Sequence, residues 1–414
     1  MKLSQLGINQ TRLVQYIAAM ADIGMTTKGG SNRQALTEED QRGRQLFLDW
    51  CHELGGAARR DTMGNLFIRW SGSDNSLPPI LMSSHLDTQP TGGHFDGVYG
   101  VLAALEVIAT LHDANIATQH PLEIAVWTNE EGARFAPAMM GSGVFCGALE
   151  QTDIYQSRDK SGVTVYDALI SSQQLGETPC QPFPIFAALE LHIEQGPILE
   201  SQELQIGVVT GVQGMNWFDV TVTGETTHAG PTPMAMRRDP VLVGATLLNQ
   251  LYALADRYGE HARLTIGDIK ALPSARNTVP SKLMFSVDLR HPDQLQLEAM
   301  TTDFYALCQQ LTGDVAIDVS PVWRSPAVHF NTQCIEAIEN ASQQLNYRTL
   351  SMVSGAGHDS VYLSRVAPVG MIFIPCRNGV SHNEAEYASP EQMTAGANVL
   401  LHALLNLTAA STYQ

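Results

Sequence analysis

The sequence predicts an α/β fold: a mixed sheet with helices on its faces, interrupted by an α+β two-layer sandwich. Three observations carry this. Pro79–Met82, Leu122–Trp127, Ile185–Leu191 and Val369–Ile374 are apolar along almost their whole length, the pattern of strands buried on both faces. Trp217–Thr223, Leu283–Leu289 and Val315–Val319 instead alternate apolar with polar residues, as strands do when one face is solvated. And 414 residues exceed one ordinary core. Because the first texture stops near 208 and resumes at 328, the expectation is a discontinuous large domain, 1–208 and 328–414, with 209–327 inserted into it.

Taken in order, Arg12–Gly24 carries apolar residues at helical spacing with Gly24 as a stop, and Glu38–Leu54 is a second helix ending at Gly55-Gly56. The strand Asn65–Trp70 leads through a polar turn, Ser71–Ser76, to the buried strand that delivers Ser83-Ser84-His85-Leu86-Asp87. Gly97–His112 is apolar on nearly every face and reads as a buried helix, its N-terminus directed at Asp96, where main-chain N–H groups favour a carboxylate. The strand at Leu122 runs out into Asn129-Glu130-Glu131-Gly132, and an amphipathic helix is expected near Val163–Leu175. The strand at Ile185 runs out into His192-Ile193-Glu194-Gln195-Gly196. Helices at 239–257 and 293–312 punctuate the inserted strands. A helix at 331–345, the strand Val369–Ile374 with His382 in the loop beyond it, and a last helix, Pro390–Leu407, complete the chain.

Composition narrows the partners. With 24 Lys and Arg against 42 Asp and Glu, the formal charge of −18 repels phosphate backbones and argues against nucleic acid. No run approaches the roughly 20 apolar residues needed to cross a bilayer, and Met1–Gln5 lacks the apolar core of a secretion leader, so no membrane partner and a cytoplasmic location are expected. The six cysteines, at 51, 146, 180, 308, 334 and 376, show no Cys-x-x-Cys spacing, which removes a disulfide framework and a thiolate zinc site. An enzyme of small molecules remains.

In an open α/β sheet, ligands bind at the carboxyl edge of the strands, and here the buried strands end in metal-binding residue types. His85, Asp96, Glu131, His192 and His382 offer the nitrogen and oxygen donors that zinc and similar divalent ions take. Five donors are too many for one tetrahedral ion and suit two ions sharing a carboxylate, for which Asp96 is the choice. Two such ions polarise a carbonyl and acidify a water. Glu130 is then the natural general base. Asp87, two residues past His85, is placed to accept the outer N–H of that imidazole. The large domain is therefore expected to be that of a dinuclear metallohydrolase, with zinc the first choice and manganese, cobalt or nickel compatible with the same donors.

The motifs His85-Leu86-Asp87, Asp96-Gly97, Glu130-Glu131-Gly132, Glu190-Leu191-His192-Ile193-Glu194-Gln195-Gly196 and Ser381-His382-Asn383, in that order, resemble the M20 metallopeptidase superfamily over nearly the whole chain. The string from Glu190 to Gly196, with His192 where peptidase branches commonly carry an acid, resembles its hydantoinase/carbamoylase amidase branch. The resemblance implies hydrolysis of the ureido C–N bond of an N-carbamoyl-L-amino acid. Allantoate or ureidoglycolate amidohydrolysis is the alternative, and an aminoacylase or dipeptidase a more distant one. It also implies a homodimer in which the inserted domain is a dimerisation and lid unit. His228, in Thr227–Met234, would stabilise the developing oxyanion from the partner subunit. Asn277, Arg290 and Gln195 would hold a small substrate bearing ureido and carboxylate groups, Arg290 as a two-pronged grip on the carboxylate. The loop Ser354–Asp359, with Gly357, would line the pocket through main-chain donors.

Overall fold

Parallel pairing of four buried strands decides where the chemistry collects. The computed structural model describes residues 6–311 and 314–410, so Met1–Gln5, read above for a leader, lies outside the described residues. They divide into two compact units, one running to Thr210 and again from Phe330, the other Gly211–His329.

The sheet of the first unit holds β1 (Ala57–Arg60), β2 (Leu66–Trp70), β3 (Ile80–His85), β4 (Leu122–Trp127), β5 (Ala187–Ile193) and β6 (Ile206–Val212). The order is β1-β2-β4-β3-β5, then Val369–Ile374, then β6, to which Thr349–Ser354 also pairs. β3 runs parallel to β4, with His85 opposite Trp127, and parallel to β5. β5 in turn runs parallel to Val369–Ile374, with His192 opposite Phe373. The carboxyl ends of all four strands therefore lie along one edge. β2 on β4, β1 on β2 and β6 on Val369–Ile374 are antiparallel, which makes the sheet mixed.

Three helices matter for the site: α1 (Gln10–Ala21), α2 (Glu38–Glu53) and α3 (Val98–Asp113). Thr37 caps α2 by accepting from the Asp40 N–H, with Glu38, Glu39 and Asp40 in the first turn to oppose the helix dipole. Every residue of α3 from Val98 to Leu111 is buried. Its one buried acid, Glu106, is paired with Arg12 at 2.6 Å and accepts the Asn9 N–H and the Thr110 hydroxyl, so the charge is not left alone in the core.

The second unit is a two-layer sandwich. Its strands stand in the order Ile269–Leu272, Lys282–His291, Gly214–Thr223, Ala316–Ser325. Helices Pro240–Arg257 and Gln294–Gln310 cover one face, with Val220, Val222, Phe285 and Leu289 packed among Leu247, Leu251, Leu297 and Phe304.

Strands β1, β6 and Thr349–Ser354 are not legible in the sequence. Ala57-Ala58-Arg59-Arg60 has no apolar run, because an edge strand partnered on β2 needs none. Gly207 and Gly211 interrupt the apolar pattern of β6, which lies where the texture changes.

Candidate metal centre

His85 closes β3 and His192 stands one residue before the end of β5. His85 Nδ1 lies 2.9 Å from the main-chain oxygen of Asp87, and His192 Nδ1 2.9 Å from that of Ile193. A carbonyl can only accept, so each ring keeps a proton on Nδ1 and turns Nε2 toward Asp96. Asp96 Oδ1 is 3.1 Å from His192 Nε2 and 3.6 Å from His85 Nε2. Its Oδ2 is 3.4 Å from His382 Nε2, which stands 3.2 Å from Glu131 Oε2. Among the described residues three groups have donor atoms within 4.8 Å of one another: His85–Asp96–His192 and Asp96–Glu131–His382, which share Asp96, and Glu190–His192–His358, which meets the first at His192.

The electrostatics agree with the geometry. Burial would raise Asp96, but hydrogen bonds from His192, His382 and His85 outweigh it and hold the carboxyl well below its usual range. His382 is pushed up to about 11 by Asp96 and Glu131. Burial opposes the charge on His85, yet Glu130 and Asp96 raise it well above the ordinary value. Protons here do the work of a cation, and a cation entering would expel them. Imidazole nitrogens and carboxylate oxygens converging from the edge of a buried sheet fit divalent metal.

The surroundings of the donors depart from expectation at three places. Asp87 does not orient His85 with its carboxylate, which is 3.9 Å away. Its carbonyl does that, because two residues along a turning chain bring the main chain closer than the side chain. The carboxylate instead accepts the N–H groups of Glu130 at 3.3 Å and Glu131 at 3.2 Å, tying the end of β3 to the chain leaving β4. The N–H at the start of α3 is not directed at the Asp96 carboxylate: the Gly97 nitrogen stands 3.1 Å from His192 Nε2. Gln195, expected at the substrate, gives its amide N–H to Asp96 Oδ2 at 2.7 Å, and its amide oxygen is buried without a protein partner.

Glu130 belongs to none of these groups of donors. It is buried, its Oε2 stands 3.4 Å from His85 Nε2, and burial pushes its carboxyl well above the usual range. Four site residues, Asn129 and Met139 beside Glu130 and Gln195 and His382 beside Asp96, adopt the left-handed region, at φ 56°, 50°, 56° and 54°. Such conformations cost of order 1–3 kcal/mol each and persist where the surroundings impose them.

Residues that sequence reasoning missed complete the shell. Gln89 holds Glu131, donating its side-chain N–H to Oε2 at 2.8 Å and its main-chain N–H to Oε1 at 3.2 Å. His358, neutral because burial lowers it well below the ordinary value, packs edge-on against His192 with ring centroids 4.7 Å apart. Glu386 accepts the main-chain N–H groups of Phe95 and Asp96, at 2.9 and 3.0 Å. Ser381 Oγ stands 2.7 Å from Asp96 Oδ2 and 2.9 Å from Glu386 Oε2. A hydroxyl has one hydrogen, so the second carboxyl must be the donor; burial and Asp96 push Glu386 up to about 7, which makes it the one that keeps a proton. No sequence signal marks Glu386, since an acid in a loop looks like a solvated charge. Glu386→Gln, an amide that copies the neutral acid, is expected to bind metal nearly as the parent does. Glu386→Ala leaves two buried N–H groups unpaired and should weaken binding about 10-fold in a calorimetric titration.

The other expected substrate residues are distributed as follows. Gly357 lies in the first unit, in the loop before His358, with its position for a Cβ 3.2 Å from Met139 Cε. His228 and Asn277 are brought together in the second unit, on the short ribbon in which Thr278 pairs with His228 and Ala229 donates to the Asn277 carbonyl. Arg290, on Lys282–His291, already grips Asp288 through Nε and Nη2, at 2.9 and 2.7 Å, so a substrate carboxylate would meet a competitor there.

The model of peptidase family M20/M25/M40 matches residues 81–406, a span that holds all five donors. The chain belongs to that family. Among M20/M25/M40 relatives, the N-carbamoyl-L-amino-acid amidohydrolase of Rhizobium meliloti is 43% identical over 96% of both chains. The allantoate amidohydrolase of Bacillus subtilis is 35% identical over 95% of this chain and 97% of its own. A crystal structure of a hydantoinase/carbamoylase family amidase from Burkholderia multivorans superposes with a TM-score of 0.93 at 43% identity, covering 97% of this chain and 98% of the other. Among the described residues, no helix of this M20/M25/M40 member is long and apolar enough to cross a membrane.

Proposed function

We propose that the protein hydrolyses N-carbamoyl-L-amino acids: water adds at the ureido carbon, the C–N bonds break, and the amino acid, carbon dioxide and ammonia leave. The observation that carries this reading is the junction of two donor groups at Asp96 with Glu130 beside them, in a chain 43% identical to an amidohydrolase of that substrate class.

His85, Asp96 and His192 would hold one divalent cation, and Asp96, Glu131 and His382 a second; zinc, manganese, cobalt and nickel all suit these donors. Bound there, the cations supply Lewis acidity, polarising the substrate carbonyl and acidifying water. Glu130 takes the proton of the attacking water and delivers it to the leaving nitrogen; burial raises its carboxyl above the usual range, which makes it a stronger base than an exposed glutamate. The unpartnered amide oxygen of Gln195 is suited to a ureido N–H. Gly357 offers main-chain donors, Asn277 a further polar contact, and Arg290 receives the α-carboxylate once Asp288 shares its guanidinium. The inserted unit serves as lid and dimerisation domain of a cytoplasmic homodimer, with His228 of the partner subunit on the developing oxyanion.

Turnover by manganese-loaded protein tests this, read as ammonia release for the ureido substrates and as free amino acid for the N-acetyl compounds. N-carbamoyl-L-amino acids are expected to exceed allantoate, ureidoglycolate, N-carbamoyl-β-alanine and N-acetyl-amino acids in kcat/KM by at least ~10-fold. Allantoate ahead of all of them would replace the reading with the second one, which the Bacillus relative supports.

A further inference from the structure

Two arginines are buried beside the metal edge without reaching any donor. Arg33 is 1% exposed and Arg44 0%. Arg33 gives Nε–H to the Leu86 carbonyl at 2.9 Å and Nη1–H to those of Met20 and Ile23 at 3.0 and 2.9 Å. Its main chain is fastened to Thr88 in both directions: its N–H donates to Thr88 Oγ1 at 2.8 Å and its carbonyl accepts the Thr88 N–H at 3.0 Å. Arg44 gives Nη2–H to the Trp127 carbonyl, Nη1–H to that of Gly64 and Nε–H to Asp40, each at 3.0 Å. Asp40 Oδ2 receives the Leu36 N–H at 2.8 Å and Gln174 Nε2 at 3.1 Å, so the anion is fixed as well.

The carbonyls they engage are telling. Leu86 directly follows His85, and Trp127 ends β4, three residues before Glu130. Asp87 joins the same two segments by accepting the N–H groups of Glu130 and Glu131. Packing alone does not account for guanidinium groups here, since apolar side chains fill buried space without the cost of desolvating a charge. A guanidinium adds a rigid fork that reaches several carbonyls at fixed angles. α2 even makes room for one: a Cβ on Gly43 would come 2.8 Å from Arg33 Cδ, and glycine is otherwise a poor choice inside a helix.

We propose that Arg33 and Arg44, with Asp40, are positioning residues that lock the end of β3 onto the end of α1 and the end of β4 onto α2, and so set the spacing of the metal donors and Glu130. The proposal rests on the metal reading of the site, and its test separates the two. Apo protein is titrated with Mn²⁺ by calorimetry, and the kcat, KM and melting temperature of the loaded enzyme are measured for Arg33→Lys, Arg44→Lys and Gly43→Ala. The lysine variants keep the charge and lose the fork. Gly43→Ala keeps Arg33, favours the helix and displaces the arginine stem. Each is expected to bind Mn²⁺ about 10-fold or more weakly, with lower kcat and a KM within about 2-fold of the parent. In Gly43→Ala these losses should be read at temperatures well below its melting transition, where the protein is folded. Variants that match the parent in Mn²⁺ affinity and kcat, or that lose only melting temperature, overturn the proposal, and Gly43→Ala decides if the lysine variants fail to fold. A parent that takes up no Mn²⁺ overturns the metal reading itself.

Discussion

Glu130→Gln is expected to keep the fold and the cation content of the parent while losing about 10³-fold in kcat, within the range that a positioned general base supplies. Glutamine has the same shape and carries no basic oxygen, so it removes the proton acceptor and little else. Glu130 stands outside both donor groups, and its place is set by its main-chain N–H on Asp87, which the substitution leaves alone. The same variant has a signature in stability. Burial, with Asp359, Glu131 and Asp87 nearby, raises the Glu130 pKa above its unfolded value, so the protonated form is the one the fold favours. That contribution is complete below the unfolded pKa and is lost as pH rises through the folded one. Metal-free Glu130→Gln should therefore melt higher than the metal-free parent at pH 8, and the gap should close on acidification. Loss of cations in the variant would instead make Glu130 a ligand, and near-parental turnover would remove it from the reaction.

Gly97→Ala should abolish turnover and cost the protein the cation held by His85. Gly97 has φ +66°, and a Cβ there would stand 2.2 Å from His85 Nε2 and 2.3 Å from Cε1, contacts that no packed atoms tolerate. The ring has no room to yield, because it is 1% exposed and anchored by Nδ1 on the Asp87 carbonyl. Gly147→Ala is the matching control. It has φ +68° and nothing within 4 Å of the added Cβ, so it bears the backbone strain without the clash. The control should lose about 1–2 kcal/mol of stability and keep its metal and its rate. Metal analysis of the two variants side by side checks this, and an active, metal-replete Gly97→Ala protein would mean that His85 does not face the helix start as described.

What could be read from the chain was what lies along it. Four apolar runs, each ending in His or in paired acids, announce a buried parallel core with a chemical edge, and the periodicity change near 208 announces a second texture. Four donors were legible because each stands at or beyond the end of a different strand, and Asp96 because it precedes the helix that follows β3. What holds the donors was not, because it depends on residues far apart in sequence. Glu386 reaches the main chain of Phe95 and Asp96, and Arg33 reaches Leu86, across separations that no local pattern encodes. Asp87 shows the limit at short range: its spacing from His85 was right for a contact, but spacing does not tell whether side chain or main chain makes it. Arg290 shows the same limit for charge, since nothing in its neighbourhood of the sequence says that Asp288 would occupy its fork.

The most direct test of the account is metal analysis of Mn²⁺-loaded protein combined with anomalous diffraction from its crystals. Two ions per chain are predicted, on either side of the Asp96 carboxylate, one reached by His85 and His192 and the other by Glu131 and His382. Ions bound elsewhere, or a chain that binds none, would contradict it.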